Sequence, residues 1–433
     1  MNKLQYLVLT SLVIGTSCTK VIRETVYETT YLPGQETVIE GKVLRMYSVQ
    51  EFGVLPENQP GTNRKNLQDA IDWASERGAA LYIDPVQGGY KVQSGIILKK
   101  NVSLVGVHGP TGRGTSDSGH QPTGSVFVIQ DTNAPFITVE SATQIRGCQF
   151  YYPDQPYNTT SGIKTYPPTI QVSHTSCAQG VTLSCLTFYG ETFAMDFRAD
   201  EGHPCEQILF EHCYGYPLSG QFIAIDRCYD IPRILQCHVN PANQREFGKA
   251  YTRAVIDRVV AQRNYTFRID HTDNAQCMDI FTFGNYGGIH LGAATYGQLT
   301  NFNFDCVCCG IYKDGDSPFN RVWEVAQGSI IANVSPAGSV PEIHPIYVTG
   351  LGHLSLTNVD CFSGNNDALT NQGRSYDFMT VSTPYYVVVT GVNCRMRNYS
   401  SEAPITVDAP LAQISFLNCA DKDGNIFNWS YGI

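Results

Sequence analysis

The sequence predicts an all-β solenoid, and three observations carry that expectation. Short apolar runs of strand length recur along most of the chain, each closed by polar or turn-forming residues. A polar residue followed by an apolar one returns at intervals of 22 to 43 residues, most of which suit one coil of stacked parallel strands. The composition, with 39 Gly, 25 Tyr and 20 Phe but only 16% charged residues, fits short strands and many turns better than long charged helices.

The 433 residues allow two or three domains or one elongated array. A formal charge of −10 argues against nucleic acid or an anionic membrane surface as the main partner, since both need clustered Lys and Arg. Residues 1–18 read as a lipoprotein-type signal peptide: Lys3, an apolar Leu7 to Ile14, then Gly15-Thr16-Ser17 before Cys18, the expected lipidation site. Gly15 stands where Leu is commoner, so simple secretion is the competing reading. Residues 19–44 would be a tether, and 45–433 the folded domain. The expected location is therefore outside the cytoplasm: lipid-anchored at a bacterial outer membrane or cell surface, or periplasmic, with membrane contact only through Cys18.

Fourteen of the 15 cysteines lie beyond Cys18. Cys148, Cys185, Cys213, Cys237, Cys361, Cys394 and Cys419 fall at equivalent places in strand-like segments, which predicts small unpaired core side chains rather than disulfides. Cys306, Cys308 and Cys309 lack zinc-ribbon spacing, and no metal site is expected.

Taken in order, Leu67, Ala70, Ile71 and Ala74 follow the i, i+3, i+4, i+7 pattern of one amphipathic helix, capped by Thr62 or Asn63 and ended by Gly78. Strand signals follow at Ala80 to Ile83, Tyr90 to Val92, Gly95 to Leu98 and Val102 to Val105. No second helix is expected. The helix, then Gly78-Ala79-Ala80-Leu81-Tyr82-Ile83-Asp84-Pro85, Gly89-Tyr90-Lys91-Val92 and Val102-Ser103-Leu104-Val105-Gly106, resembles the opening of the pectate-lyase-like right-handed parallel β-helix superfamily. The likeness is to its rhamnogalacturonase- and epimerase-like branch, related to glycoside hydrolase family 28. It covers residues 50 to 110 in detail. Gly61-Thr62-Asn63-Arg64-Lys65-Asn66 replaces the family's usual Gly-Asp-Gly and Asp-Asp-Thr.

The recurring unit is seen at Arg146-Gly147-Cys148, Leu183-Ser184-Cys185, Glu211-His212-Cys213, Leu235-Gln236-Cys237, Met278-Asp279-Ile280, Thr300-Asn301-Phe302, Ala332-Asn333-Val334, Thr357-Asn358-Val359, Val392-Asn393-Cys394 and Leu417-Asn418-Cys419. Its polar member, often Asn, would sit at a bend between two strands and stack in a ladder. The expected fold is a right-handed parallel β-helix with one N-terminal capping helix; a β-sandwich or propeller is the competing architecture. In one coil, Ile223, Ile225, Leu235, Cys237 and Val239 should point inward. The insertions Tyr151 to Pro168, Pro241 to Asn264, Asp314 to Trp323 and Asn365 to Tyr376 are candidate groove walls, and the first offers Tyr152 as a surface for stacking sugars.

Glycosidic cleavage by hydrolysis needs two carboxyl groups, one protonated and one ionised. Asp226, Asp270, Asp273 and Asp305 are the candidate catalytic acids, with His238 as an acid or base. Asp230 and Asp360 also face outward, and Asp314 and Asp316 lie on a loop. Arg227, Arg233, Asn240, Tyr152, Asn303 and Asp360 are the candidate substrate-binding residues. Arg227, Arg233 and Arg245 suit a uronate carboxylate because a guanidinium binds one through two hydrogen bonds. For each acid, a surface or turn role competes.

The family-28 motifs Asn-Thr-Asp, Asp-Asp, Gly-His-Gly and Arg-Ile-Lys are missing: Gly352-His353-Leu354 lacks the second Gly and Asn366-Asp367 stands alone. Three readings stay open: a glycoside hydrolase, a polysaccharide lyase acting on a uronic-acid polymer, and a non-catalytic glycan-binding surface protein. The partner in each is a polysaccharide or oligosaccharide. No cofactor is expected, though a lyase would bring in Ca²⁺. A homo-oligomer is compatible with all three.

Overall fold

The structure, a computed structural model, describes residues 38–39, 42–43, 46–109, 124–130, 133–242, 250–317, 321–333, 335, 338–362, 377–396, 405–421 and 423–432. Cys18, Arg245 and the insertion at 365–376 lie outside the described residues. Met1–Leu44 and Arg45–Ile433 form separate compact units. In the first, Val38–Ile39 pairs antiparallel with Lys42–Val43.

The second unit is a parallel β-helix. Each coil contributes up to four strands, the fourth forming a small sheet of Ala178–Gln179, Cys205–Glu206 and Cys228–Tyr229, and each sheet grows by parallel pairing with the next coil. The first sheet runs through Ala80–Ile83, Ser103–Gly106, Gln144–Arg146, Thr182–Ser184, Leu209–Glu211, Arg233–Leu235, Ala275–Met278 and Gly297–Thr300. The second runs beside it through Tyr90–Gln93, Ser125–Gln130, Cys148–Tyr151, Thr187–Tyr189, Tyr214–Gly215, His238–Val239, Phe281–Phe283 and Asn303–Val307. The long strands Val322–Ala332 and Gly352–Phe362 pass through both and join them. The third sheet has eleven strands, among them Phe193–Arg198, Gln221–Asp226, Tyr265–Ile269, Gly287–Leu291, Cys309–Lys313 and His344–Val348.

From Gly147 on, each coil bends between the first and second sheets at one residue with positive φ. The series is Gly147, Cys185, His212, Gln236, Asp279, Asn301, Gln327, Asn358, Asn393 and Asn418, with φ between 51° and 72°. Asn tolerates this left-handed conformation better than most residues, hence its recurrence. The amides also link coils: Asn418 Nδ2 donates to Asn393 Oδ1 at 2.6 Å.

This geometry refines the expected pattern. The bend interrupts the two-residue alternation, so Ile234 is buried and Leu235 faces outward, while Cys237 and Val239 are buried. Cys185 is itself a bend residue, with Leu186 as its inward neighbour. One coil bends at Gln327 rather than Asn333, which lies beyond the second-sheet strand. Cys361 occupies the next inward row, paired with Ile330. All fourteen described cysteines carry free thiols, and most are buried.

Inside, identical rows stack. Met195, Ile223, Phe267, Ile289, Ile311 and Ile346 align in the third sheet, fully buried. Phe127, Phe150 and Phe188 stack in the second at centroid separations of 5.9 and 5.1 Å. Burying each such side chain contributes roughly 1.5–3 kcal/mol, so every coil is held mainly by its neighbours.

The first helix, α1 (Pro60–Arg77), buries Leu67, Ala70, Ile71 and Ala74 and ends at Gly78, φ 62°. Its N-cap is Gln59, with Pro60 at the first position where no N–H is needed. Asn63 lies inside the helix, buried, bonding Leu55 and Lys91 backbone. A second helix, α2 (Arg253–Val260), corrects the expectation of one. Val255 and Val259 make a buried i, i+4 pair there, but valine clusters favour strands by local propensity and mask the period.

Candidate functional site on the third sheet

The outer face of the third sheet gathers charged and aromatic side chains from consecutive coils. Outward positions of a buried strand normally alternate with core residues, and here they hold Asp196, Arg268, His290, Tyr312 and Tyr347. At the strand ends a second row holds Arg198 and Asp226 in register, followed in successive coils by Asp270, Gly292 and Asp314.

These groups form linked pairs. Arg198 Nη2 meets Asp196 Oδ2 at 2.6 Å. Asp226 accepts from Arg227 at 2.9 Å, and its other oxygen lies 2.8 Å from His271 Nδ1. Arg268 Nε donates to Asp270 Oδ2 at 2.6 Å, and Ala293 N–H to Oδ1 at 3.2 Å. His290 Nε2 lies 2.6 Å from Asp314 Oδ1. Arg227 and His271, directly after the two acids, both have positive φ (52° and 37°), which turns the chain off the sheet edge. Gly292 is required: a Cβ there would lie 1.8 Å from Asp270 Oδ1, so the carboxylate leans over this gap toward Asp314.

The electrostatics follow from the pairing. The hydrogen bonds that Arg198 donates to Asp196 raise the Arg198 pKa, and the nearby Asp226 and Asp270 add to it against the cost of burial. Burial pushes the Asp314 carboxyl up, but the bond to His290, its charge and that of Arg268 outweigh burial and hold it below the ordinary value. Beside the charges, Tyr265, Tyr312 and Tyr347 stack at 5.5 Å intervals, with His290 4.9 Å from Tyr312. Stacked in this way, the rings cover one another's faces and line the row with apolar edges next to hydrogen-bonding groups.

Of the residues singled out from sequence, Asp226, Arg227 and Asp270 meet here, as does Asp314. Asp273 lies in the following turn, where Tyr296 Oη donates to it. His238, Asn303, Asp305 and Asp360 belong to the second sheet. Arg233 is on the first sheet, bonded to Gln276 at 3.2 Å. Asn240 is buried and accepts from Ala242 N–H at 2.9 Å, capping a turn. Tyr152 is buried, stacked on Tyr166 at 4.8 Å and bonded to Thr169, so it presents no ring to solvent.

Sequence reasoning did not single out Asp196, Arg198, Arg268, His271, His290, Tyr312 or Tyr347. The available signal was a polar or aromatic residue in the middle of an apolar strand, as in Thr266-Phe267-Arg268-Ile269 and Ile289-His290-Leu291. Among the described residues no cluster of three or more His, Cys, Asp or Glu side chains is placed to hold a metal ion.

Neither a protein-family model nor a curated protein matches the sequence. Solved structures do match the fold. The pre-mature bacteriophage phi29 gene product 12 is 12% identical with a TM-score of 0.54, covering 86% of this chain and 52% of that one. The Yersinia enterocolitica family 28 exopolygalacturonase is 9% identical with a TM-score of 0.53, covering 87% and 75%. The chain spans about half the length of the phage protein. At these identities the likeness is one of fold: this chain is a right-handed parallel β-helix, as its opening segment suggested.

Proposed function

We propose that the chain is a carbohydrate-active enzyme that hydrolyses glycosidic bonds on the outer face of its third sheet. The observation that supports this best is the row Asp226, Asp270, Gly292, Asp314 beside the Tyr265–Tyr312–Tyr347 wall. Neighbouring strands are about 4.8 Å apart, so Asp270 and Asp314, two steps apart, have backbones about 9.6 Å from one another. The lean of Asp270 over Gly292 shortens the gap between the carboxyl groups. His271, the residue after Asp270, is likewise two coils from Asp314, so this acid and base leave space between them for a glycosidic bond and a water.

Asp314, held ionised by His290, takes the proton of the attacking water. The oxygen adds to the anomeric carbon as the glycosidic C–O bond breaks. The proton for the leaving oxygen comes from the Asp226–His271 pair, whose imidazole Nε2 is directed away from the carboxylate. Arg268 and Asp270 between them hold sugar hydroxyls. Export and lipidation at Cys18 belong to the same reading, and incorporation of a labelled fatty acid in the producing bacterium, lost in Cys18→Ser, tests them.

A second reading is favoured by the three guanidiniums of Arg198, Arg227 and Arg268 along the row: a lyase on a uronic-acid polymer, with His271 as base. Screening the purified protein on plant, algal and host polysaccharides separates the readings. Reducing ends without ultraviolet absorbance support hydrolysis, absorbing unsaturated products support a lyase, and retention without product supports a binding protein.

A further inference from the structure

We propose that the outer face of the second sheet carries a second site, which binds a neutral saccharide ring against Phe281. The proposal is independent of the reaction performed on the third sheet. Tyr214, His238 and Phe281 climb the second sheet as a ladder that begins at His108, in the loop after Ser103–Gly106, with centroid separations of 6.2, 6.2 and 4.3 Å. The next positions in register are Asn303 and then Ser329. The ladder therefore drops from rings to short polar side chains. Phe281 is covered by His238 on one face and meets a step of open space on the other.

A depression of about 520 Å³ opens at this step, lined by Phe281, Asn303, Ser329 and the bend residues Asp279, Asn301 and Gln327. Gly328 faces inward, and its missing Cβ leaves room for the buried ring of Phe302 beneath the depression. No lining residue belongs to the third sheet.

The lining suits a sugar in two ways. An aromatic face packs on the C–H face of a pyranose, and amides present donors and acceptors together at the spacing of adjacent hydroxyls. The side-chain oxygen of Asn303 is enclosed and accepts no hydrogen bond from the described residues, so nothing on that side fixes the amide. The carboxylate among the lining groups, Asp279, disfavours a uronate and selects a neutral ring.

The test is titration calorimetry with cellotriose, maltotriose, xylotriose and trigalacturonate, with hydrogen–deuterium exchange to locate the bound probe. Asp314→Asn serves as the background, so that third-sheet turnover does not consume the probe. Binding of a neutral trisaccharide with protection at 279–281, 301–303 and 327–329 is expected. Ser329→Tyr, which extends the ladder into the depression, should weaken that event by at least about tenfold. Asn303→Leu, a change of similar volume, should also weaken it and controls for misfolding in the larger substitution. Absence of neutral-sugar binding, protection elsewhere, tighter binding of trigalacturonate, or indifference to both substitutions in folded protein would each overturn the proposal.

Discussion

Replacing Glu191 by Gln should remove most of the fall in stability between pH 4.5 and 8. Glu191 is fully buried. One carboxyl oxygen accepts from Tyr216 N–H at 2.8 Å, while the other has no hydrogen-bond partner among the described residues. Its surroundings are the buried rings of Tyr152, Tyr216 and Tyr251, and among the described residues no cation offsets its charge. Burial pushes the carboxyl from 4.5 to about 8, the bonds from the backbone opposing only part of it. The folded protein therefore holds this proton at pH 7 while the unfolded chain has released it. Stability from this group is fully present below pH 4.5 and is lost as pH rises to about 8.

At about 1.4 kcal/mol per pH unit, the loss across that window is on the order of 4–5 kcal/mol. Gln keeps the acceptor for Tyr216 and cannot ionise. Urea unfolding at pH 5, 6, 7 and 8 should show the variant within about 1 kcal/mol of the parent at pH 5 and several kcal/mol more stable at pH 8. Parallel pH dependences in the two proteins would refute the reasoning.

Three further outcomes follow from the geometry. Gly292→Ala places a methyl in the space of the Asp270 carboxylate and should lower kcat by roughly 10²-fold while far-ultraviolet circular dichroism stays unchanged. His290→Phe keeps the stack on Tyr312 but removes the bond that holds Asp314 ionised. Activity is lost as pH falls through the Asp314 pKa, so the acid limb of the rate profile should move to higher pH in the variant. Asn358→Ala, at φ 54°, should destabilise by roughly 1–2 kcal/mol and Asn358→Gly by less, measured by urea unfolding.

Much of the architecture was legible because a β-helix repeats its physics. Each coil needs a left-handed bend, so Asn301, Asn358, Asn393 and Asn418 recur, and each bend is followed by an inward residue such as Cys213 or Cys237. The parity change at the bend was not legible, which is why Leu235 was expected inside and Ile234 is found there. Helix α2 was hidden because tertiary packing, with Val255 and Val259 buried, overrides the strand preference of valine.

The site was legible only in part. Asp226 and Asp270 follow apolar runs, and that made them visible as strand-end acids. Arg268, His290 and Tyr312 stand in strands separated by loops of different lengths, and only the register reveals that they share one row. Asp305 and His238 have the same outward alternation, so sequence could not say that they lie on a different sheet.

The most direct measurement is single-turnover cleavage of a polysaccharide that the screen identifies, comparing Asp314→Asn with Asp305→Asn. The third-sheet site predicts that Asp314→Asn lowers the rate of bond cleavage by at least about 10²-fold, with the unfolding midpoint little changed. Full activity in Asp314→Asn together with loss in Asp305→Asn would contradict it and move the chemistry to the second sheet.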